Sequence, residues 1–498
     1  MAVLPPVPQG RAPKPGAILA MCLAAGLAGG LLATMLTGLS AKFFLTGLMA
    51  LAALIVLVIA GATGLLRILL LLALACGLSL NISITFLLHD QTPGLHQLNV
   101  SGAAGVTVTV VLIAAVLLLA QQMVARRRVI LPVGLLWPWF LFAAVGVASL
   151  LVAVDARLVI LELARLAVLL LIVVAIANLK PEEIRPFLLF LALFVAVQGA
   201  IAVTQFVTQR DLGLAFLGEE ALAVETIEFR AQVRSTGTIG HPNILAYFFE
   251  LLLPLMLAQL MMARTGLERL VYLVALVLGL GGILVTLSRA GWFTMALLLP
   301  LVVLFVGGRR LLTARALLVG AGLAVMLILA AALVGPLVLE RLLGDDAGSY
   351  SHRATFNEGA RDLISQSPWL GHGLNNFGPA FALFDTTGGY RVFREVNHVV
   401  HNMFLLVAGE VGLIGLGVFL LAFAVALWRC WRVFRMDPNG IAGTAALGIG
   451  AGLVAQLLHG LMDPGFRLSL PVSQLIFCLF GLIAALELHV RAARGKRR

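Results

Sequence analysis

Three short polar clusters interrupt an otherwise apolar chain, and each has residue types that could do chemistry. The first, Arg234-Ser-Thr-Gly-Thr-Ile-Gly240-His241-Pro242-Asn243, runs directly into a long apolar segment. Glycine permits close backbone approach, and a helix start offers N–H groups and a positive dipole end to an anion. Arg234 would add a permanently charged fork suited to phosphate oxygens. The plain alternative is a glycine-rich entry turn with a solvated arginine. The second is Arg289, in the four-residue turn Ser288-Arg289-Ala290-Gly291 between two apolar segments. It suits an anion, or equally an interfacial arginine reaching for lipid phosphates. The third is His398-Val-Val-His401-Asn402. Histidine titrates near neutrality and is the natural general base; its plain alternative is a ring closing a helix terminus. His398 and His401 can face one way, but no third ligand stands at a fixed spacing, so the reading is no metal.

The elements that must position these residues follow from composition. The chain has 498 residues, 61% hydrophobic and 11% charged, with mean hydropathy +1.07. Soluble domains carry roughly 25% charged residues, and disordered chains need few apolar residues and high charge. Apolar runs of about 20 residues between short polar ones indicate an all-α, polytopic helical membrane protein rather than a barrel of alternating strands. Fourteen candidate spans result: 17–39, 43–62, 68–88, 101–124, 133–153, 158–179, 186–207, 244–263, 270–288, 292–307, 316–339, 403–427, 441–462 and 470–489. The first, long and preceded by a Pro-rich tail, reads as a retained anchor.

Orientation comes from the Lys/Arg bias. With the N-terminus in the cytoplasm, short loops divide 21 Lys/Arg inside to 4 outside. Both termini are then cytoplasmic, and the net charge of +11 is a topology signal that suits membrane lipids; nucleic acid is not implied. Two long loops fall outside, 208–243 and 340–402, with seven of the nine histidines on that face. The four cysteines form neither a disulfide framework nor a zinc spacing. Within the second loop, Ser351 to Ser367 is predicted as an amphipathic helix lying on the membrane surface. Its Phe356, Ala360, Leu363 and Ile364 share one face, while Arg353 and Arg361 share another. Glu162 and Arg165 form an expected i, i+3 pair. Glu250 and Glu410 are intramembrane carboxylates whose partners the sequence does not name. Gly412 and Gly415 suit close helix packing. No internal repeat supports a transporter or flippase of lipid-linked sugar, which is the competing class.

At these residues the chain resembles a known family. His401-Asn402, nine residues, then Gly412-Leu-Ile-Gly415 is similar to the H-[N/S/Q]-x9-G-x-x-G pattern of the O-antigen ligase/polymerase superfamily. Ser367-Pro-Trp-Leu-Gly371-His-Gly373-Leu-Asn-Asn-Phe377 resembles that family's stretch before the histidine. The cluster at 237–246 and the 288–292 hairpin resemble family segments in the same order, and the similarity covers roughly 230 to 420. The resemblance implies a GT-C-like membrane glycosyltransferase with twelve spans in the family core. It would divide the chain into a 1–16 cytoplasmic tail, 17–130 N-terminal transmembrane helices, a 131–490 O-antigen ligase-like membrane domain and a 491–498 basic cytoplasmic tail.

By the same resemblance, His401 is the general base and Arg234 and Arg289 bind pyrophosphate, with Arg353, Arg361, His241, Asn243, Asn402 and His398 as substrate-binding candidates. The donor is an undecaprenyl-pyrophosphate-linked glycan, with no cofactor. The acceptor is a lipid-A core sugar for a ligase, a growing polysaccharide for a polymerase, or a protein hydroxyl for an oligosaccharyltransferase. Ligase is the favoured reading. The location is the bacterial inner membrane, with the active site on the periplasmic face.

Overall fold

The computed structural model describes residues 65–86, 103, 105–125, 128–220, 222–227, 230–307, 349–389 and 399–495. The predicted spans 17–39, 43–62 and 316–339 lie outside these residues. Contacts divide the chain at Leu71/Leu72, and the architecture below is that of the second unit. The protein is a polytopic helical membrane protein.

Nine helices among the described residues are long and apolar enough to cross a membrane, and they correspond to nine of the expected spans. They are α3 (Val133–Ala148, continued by a 3-10 turn to Leu151), α4 (Ala156–Ala177), α5 (Pro181–Thr208), α6 (Pro242–Met262), α7 (Gly266–Val285) and α8 (Arg289–Gly307), followed by α11 (Met403–Met436), α12 (Ile441–His459) and α14 (Leu470–Gly495). The expected spans 68–88 and 101–124 are shorter. α1 (Leu66–Ser79) and α2 (Val110–Val124) have 14 and 15 residues, and the chain between them contributes an antiparallel pair, β1 (Ser83–Phe86) and β2 (Val106–Thr109). Fourteen residues rise about 21 Å, short of the roughly 30 Å hydrocarbon core. A second hairpin, β3 (Ala223–Ile227) and β4 (Arg230–Arg234), lies in the first long loop.

Burial separates centre from rim. In their most apolar 18-residue stretches, 83% of α6 and 89% of α14 residues are buried within the protein, whereas α8 and α11 bury 39% and keep apolar faces for lipid. α6 is central because it is apolar all round, and it packs against α7, α8 and α12. Gly448 and Gly452 of α12 leave room for the α6 backbone at Leu255 and Leu251.

The second long loop carries α9 (Ser349–Gln366) and α10 (Phe377–Phe384). The amphipathic helix expected there exists, but its apolar face does not lie on the membrane. Phe356, Ala360 and Leu363 are buried against Phe377, Phe381, Val400 and Leu406 in a protein core.

α11 is broken at Val411–Gly412, where Gly412 adopts φ 68°, ψ −176°. The break leaves carbonyls without intrahelical partners, and the loop after α9 supplies them. His372 N donates to Gly409 O (3.0 Å), Gly373 N to Glu410 O (2.9 Å), and Leu413 N to Pro368 O (2.8 Å). Gly412 is therefore not the helix-packing glycine expected; a Cβ there would collide with the Trp369 carbonyl. Gly415 is crowded first by Val411, whose side chain the break turns onto it, with Val145 of α3 in ordinary contact behind.

Candidate functional site

The segment before α6 is held from α5 by two buried glutamines. Gln205 accepts from Gly237 N (2.9 Å) and donates to Gly237 O (3.0 Å), while Gln198 accepts from Thr238 N (3.2 Å). Ser235 N bonds Val285 O at the end of α7 (3.2 Å). The glycine-rich turn is thus not the open anion cradle its composition suggested: the Gly237 and Thr238 N–H groups already have protein partners. His241 is the N-cap of α6, its Nδ1 accepting from Asn243 N (3.2 Å), and Pro242 fits the first helical position.

Arg234, at the end of β4, donates from Nε to Thr286 O (2.9 Å) and from Nη2 to Asn243 Oδ1 (2.9 Å). Thr286 opens the tight turn in which Leu287 takes φ 53° and Arg289 begins α8. The two arginines named from the sequence therefore meet the same turn, Arg234 through its hydrogen bond and Arg289 by position.

Asn243 passes the connection on, its Nδ2 donating to Asp463 Oδ2 (3.0 Å). Asp463 sits in the turn after α12 and is 5% exposed. Its N–H bonds His459 O (3.1 Å), and its carbonyl accepts from the Tyr247 hydroxyl. Beneath it, Tyr247 stacks on His459 with centroids 4.1 Å apart, and His459 Nδ1 bonds Glu250 Oε1 (2.9 Å). Thr294 of α8 donates to the same Glu250 oxygen (2.7 Å). Glu250 thus has its partners, Thr294 from α8 and His459 and Gln456 from α12.

His401 Nδ1 lies 4.0 Å from Asp463 Oδ2, too long for a hydrogen bond, although active-site contacts in ligand-free structures are often long. The side chain is 41% exposed, yet Nδ1 itself is buried. Burial pushes the imidazole below its ordinary range; Asp463 opposes this and Arg353 adds to it. His241 is depressed by burial and by Arg234 and His401, against Asp463. Both shifts favour the neutral ring, the state a proton acceptor needs.

Asn402 is the N-cap of α11, its Oδ1 accepting from Phe404 N and Leu405 N (2.9 and 3.0 Å) and its Nδ2 donating to Leu461 O (3.1 Å). With Met403 N bonding Gly460 O (2.7 Å), it ties His401 to the turn that carries Asp463. Asn243, Asn402 and His241 thus each hold other groups of the protein in place. Arg353 faces this cluster electrostatically, whereas Arg361 is exposed two turns further along α9 and is not brought to it. His398 lies outside the described residues. Asp463, Tyr247 and His459 were missed by sequence reasoning, although Asp463-Pro464 is the sole acidic position in the turn between the last two spans.

A separate network lies inside the bundle. Arg467 of α13 (Gly465–Leu468) is 4% exposed and pairs with Glu162 of α4 and, at 2.5 Å, with Glu410 of α11. Arg165 bonds Glu162 at 2.6 Å, which is the i, i+3 pair expected. Arg467 thereby cross-links three elements. A small cavity beside Arg165 and Arg467 is walled by aromatic and leucine side chains, away from His401. Among the described residues no three His, Cys, Asp or Glu side chains are grouped to hold a metal ion.

Comparison with known proteins bears on this site. Residues 274–420 match the family model described as O-Antigen ligase, in support of the O-antigen ligase/polymerase resemblance. The match spans the Arg289 turn, the α9 loop, His401-Asn402 and the α11 break, and begins downstream of Arg234. No curated protein gives a significant match. A solved structure described as "Structural coordination of polymerization and crosslinking by a peptidoglycan synthase complex" aligns at TM-score 0.39 and 18% identity, covering 72% of this chain and 97% of that one. The family supports a glycosyltransferase-like ligase or polymerase role in a membrane.

Proposed function

We propose that the protein transfers a glycan from an undecaprenyl-pyrophosphate carrier to an acceptor hydroxyl at the membrane face that carries His401, as an O-antigen ligase-like enzyme of the bacterial inner membrane. The observation that carries this reading is the chain Arg234–Asn243–Asp463–His401, which sets a base and a fixed cation on one polar scaffold beside the Arg289 turn. With Nδ1 turned toward Asp463, Nε2 of His401 is the nitrogen that accepts the acceptor's proton. The acceptor oxygen bonds to the anomeric carbon as the bond from that carbon to the phosphate oxygen breaks. Arg234 and Arg289 offset the negative charge that develops on the departing pyrophosphate, as fixed donors do for a forming oxyanion. Direct displacement inverts the anomeric configuration. The positive-inside bias puts this face on the periplasmic side and both termini in the cytoplasm.

The test is purified protein in detergent with a labelled undecaprenyl-pyrophosphate saccharide and a chelator. Transfer to an added lipid-A core acceptor, lost in His401→Ala, supports the ligase. A ladder of longer carrier-linked glycans without that acceptor makes the protein a polymerase. Turnover that needs metal, or that survives both His401→Ala and Arg289→Ala, overturns the mechanism.

A further inference from the structure

The far ends of α11 and α14 carry a charge arrangement that glycan transfer does not use. Glu487 of α14 is 3% exposed, and three guanidinium groups converge on it. Arg429 and Arg491 pair with it directly, and Arg432 Nη1 lies 3.7 Å from Oε1. Arg429 and Arg432 are one turn apart on α11, Arg491 is one turn beyond Glu487 on α14, and the packing of α11 against α14 brings all three to one carboxylate. One carboxylate compensates one guanidinium. Two positive charges therefore remain within reach of each other.

The three arginines are not equivalent. Arg429 is fixed by packing: its guanidinium fills the space that a Cβ on Gly134 of α3 would need. Its Nε is buried with no hydrogen-bond partner. Arg432 and Arg491 are 41% and 48% exposed and stand at the open side. Arg432 lies over the Trp428 ring, 5.2 Å from its centroid, and Trp428 and Trp431 are themselves exposed. Exposed tryptophans at a span end mark the depth of lipid headgroups. A lone arginine there would only snorkel. Here a buried glutamate and a packed arginine hold two further guanidinium groups in place at that depth, so the site is formed before anything binds.

We propose that Arg432 and Arg491, backed by Arg429 and Glu487, bind the headgroup of an anionic phospholipid, with Trp428 and Trp431 against its glycerol and upper acyl carbons. Two uncompensated charges match a headgroup with two phosphates, whereas a zwitterionic lipid brings its own cation and gains less. This site is at the opposite end of α11 from His401 and does not rest on the proposed transfer.

The full chain in neutral detergent tests it. Thermal unfolding is followed while a two-phosphate anionic phospholipid, phosphatidylcholine or inorganic pyrophosphate is titrated in. The anionic lipid is expected to raise Tm at a concentration at least about ten-fold lower than phosphatidylcholine requires. The double variant Arg432→Gln/Arg491→Gln should lose that preference with little change in its lipid-free Tm, and Arg432→Lys/Arg491→Lys should keep most of it. An equal response to both lipids, an undiminished preference in the glutamine variant, or an equal response to inorganic pyrophosphate overturns the assignment. If the glutamine variant fails to fold, salt decides on the wild type. The preference should fall steeply toward about 0.5 M salt, and a salt-independent one overturns the proposal.

Discussion

Asp463 and His401 face each other across 4.0 Å, and the Asp463 oxygen that faces the imidazole is the one that accepts a hydrogen bond from Asn243. One carboxylate thereby couples the start of α11 to the start of α6. Its own position is set by Tyr247 and by the His459 carbonyl, above the buried Glu250–His459 pair.

This coupling gives the pH dependence of transfer a sign. His401 must be neutral to accept a proton, and burial lowers its pKa, so the acid limb of activity should lie below the ordinary histidine range. Asp463 is the influence that raises it, so Asp463→Asn should move the limb to still lower pH while reducing the rate about ten-fold. Arg353→Gln removes a lowering influence and should move the limb upward. A kcat–pH profile of each variant measures both shifts, and shifts of the same sign would contradict this arrangement.

Arg234 depends on its fork. Lysine keeps the charge but cannot reach Thr286 O and Asn243 Oδ1 together. Arg234→Lys should cost roughly 100-fold in kcat/KM, of the order found for a lost oxyanion donor. Asn243→Ala should cost about ten-fold, and the double variant should lose less than the product of the two, because both act on one contact. Steady-state kinetics of the three variants checks this.

Gly412 should not tolerate a side chain. Its φ of 68° with extended ψ is open only to glycine, and a Cβ would strike the Trp369 carbonyl. Gly412→Ala should lower stability by about 3 kcal/mol or more, whereas Gly417→Ala, whose Cβ meets nothing, should be neutral or slightly stabilising. Thermal unfolding of the two variants in the same detergent makes the comparison.

The buried network should respond to charge balance. Arg467→Met removes a buried charge partner from both Glu410 and Glu162, with an expected cost of about 3–5 kcal/mol. Adding Glu410→Gln leaves Glu162 with Arg165, and part of that stability should return. Unfolding midpoints of the single and double variants provide the test.

Much of the fold was legible in order of residues alone, because a membrane span is a local property: about 20 apolar residues satisfy their own backbone within one helix. Nine spans appear where expected. α1 and α2 were overestimated because hydropathy does not distinguish the end of a helix from an apolar strand such as Ser83–Phe86. The site was legible in part. His401, Arg234 and Arg289 announce themselves as polar residues at the ends of apolar runs. The glycine pattern around 412 was visible, but its role as a backbone break was not, since the carbonyls it frees are satisfied by residues 368–373.

The class of protein and the position of most spans were written in the chain itself, since each depends on composition within one segment. Tertiary structure alone decided the pairings: Asp463 with His401 and Asn243, His459 with Glu250, Arg467 with Glu162 and Glu410. These partners stand far apart in the chain. A buried charge selects its partner by proximity and desolvation once helices pack, and spacing along the chain carries no record of that choice.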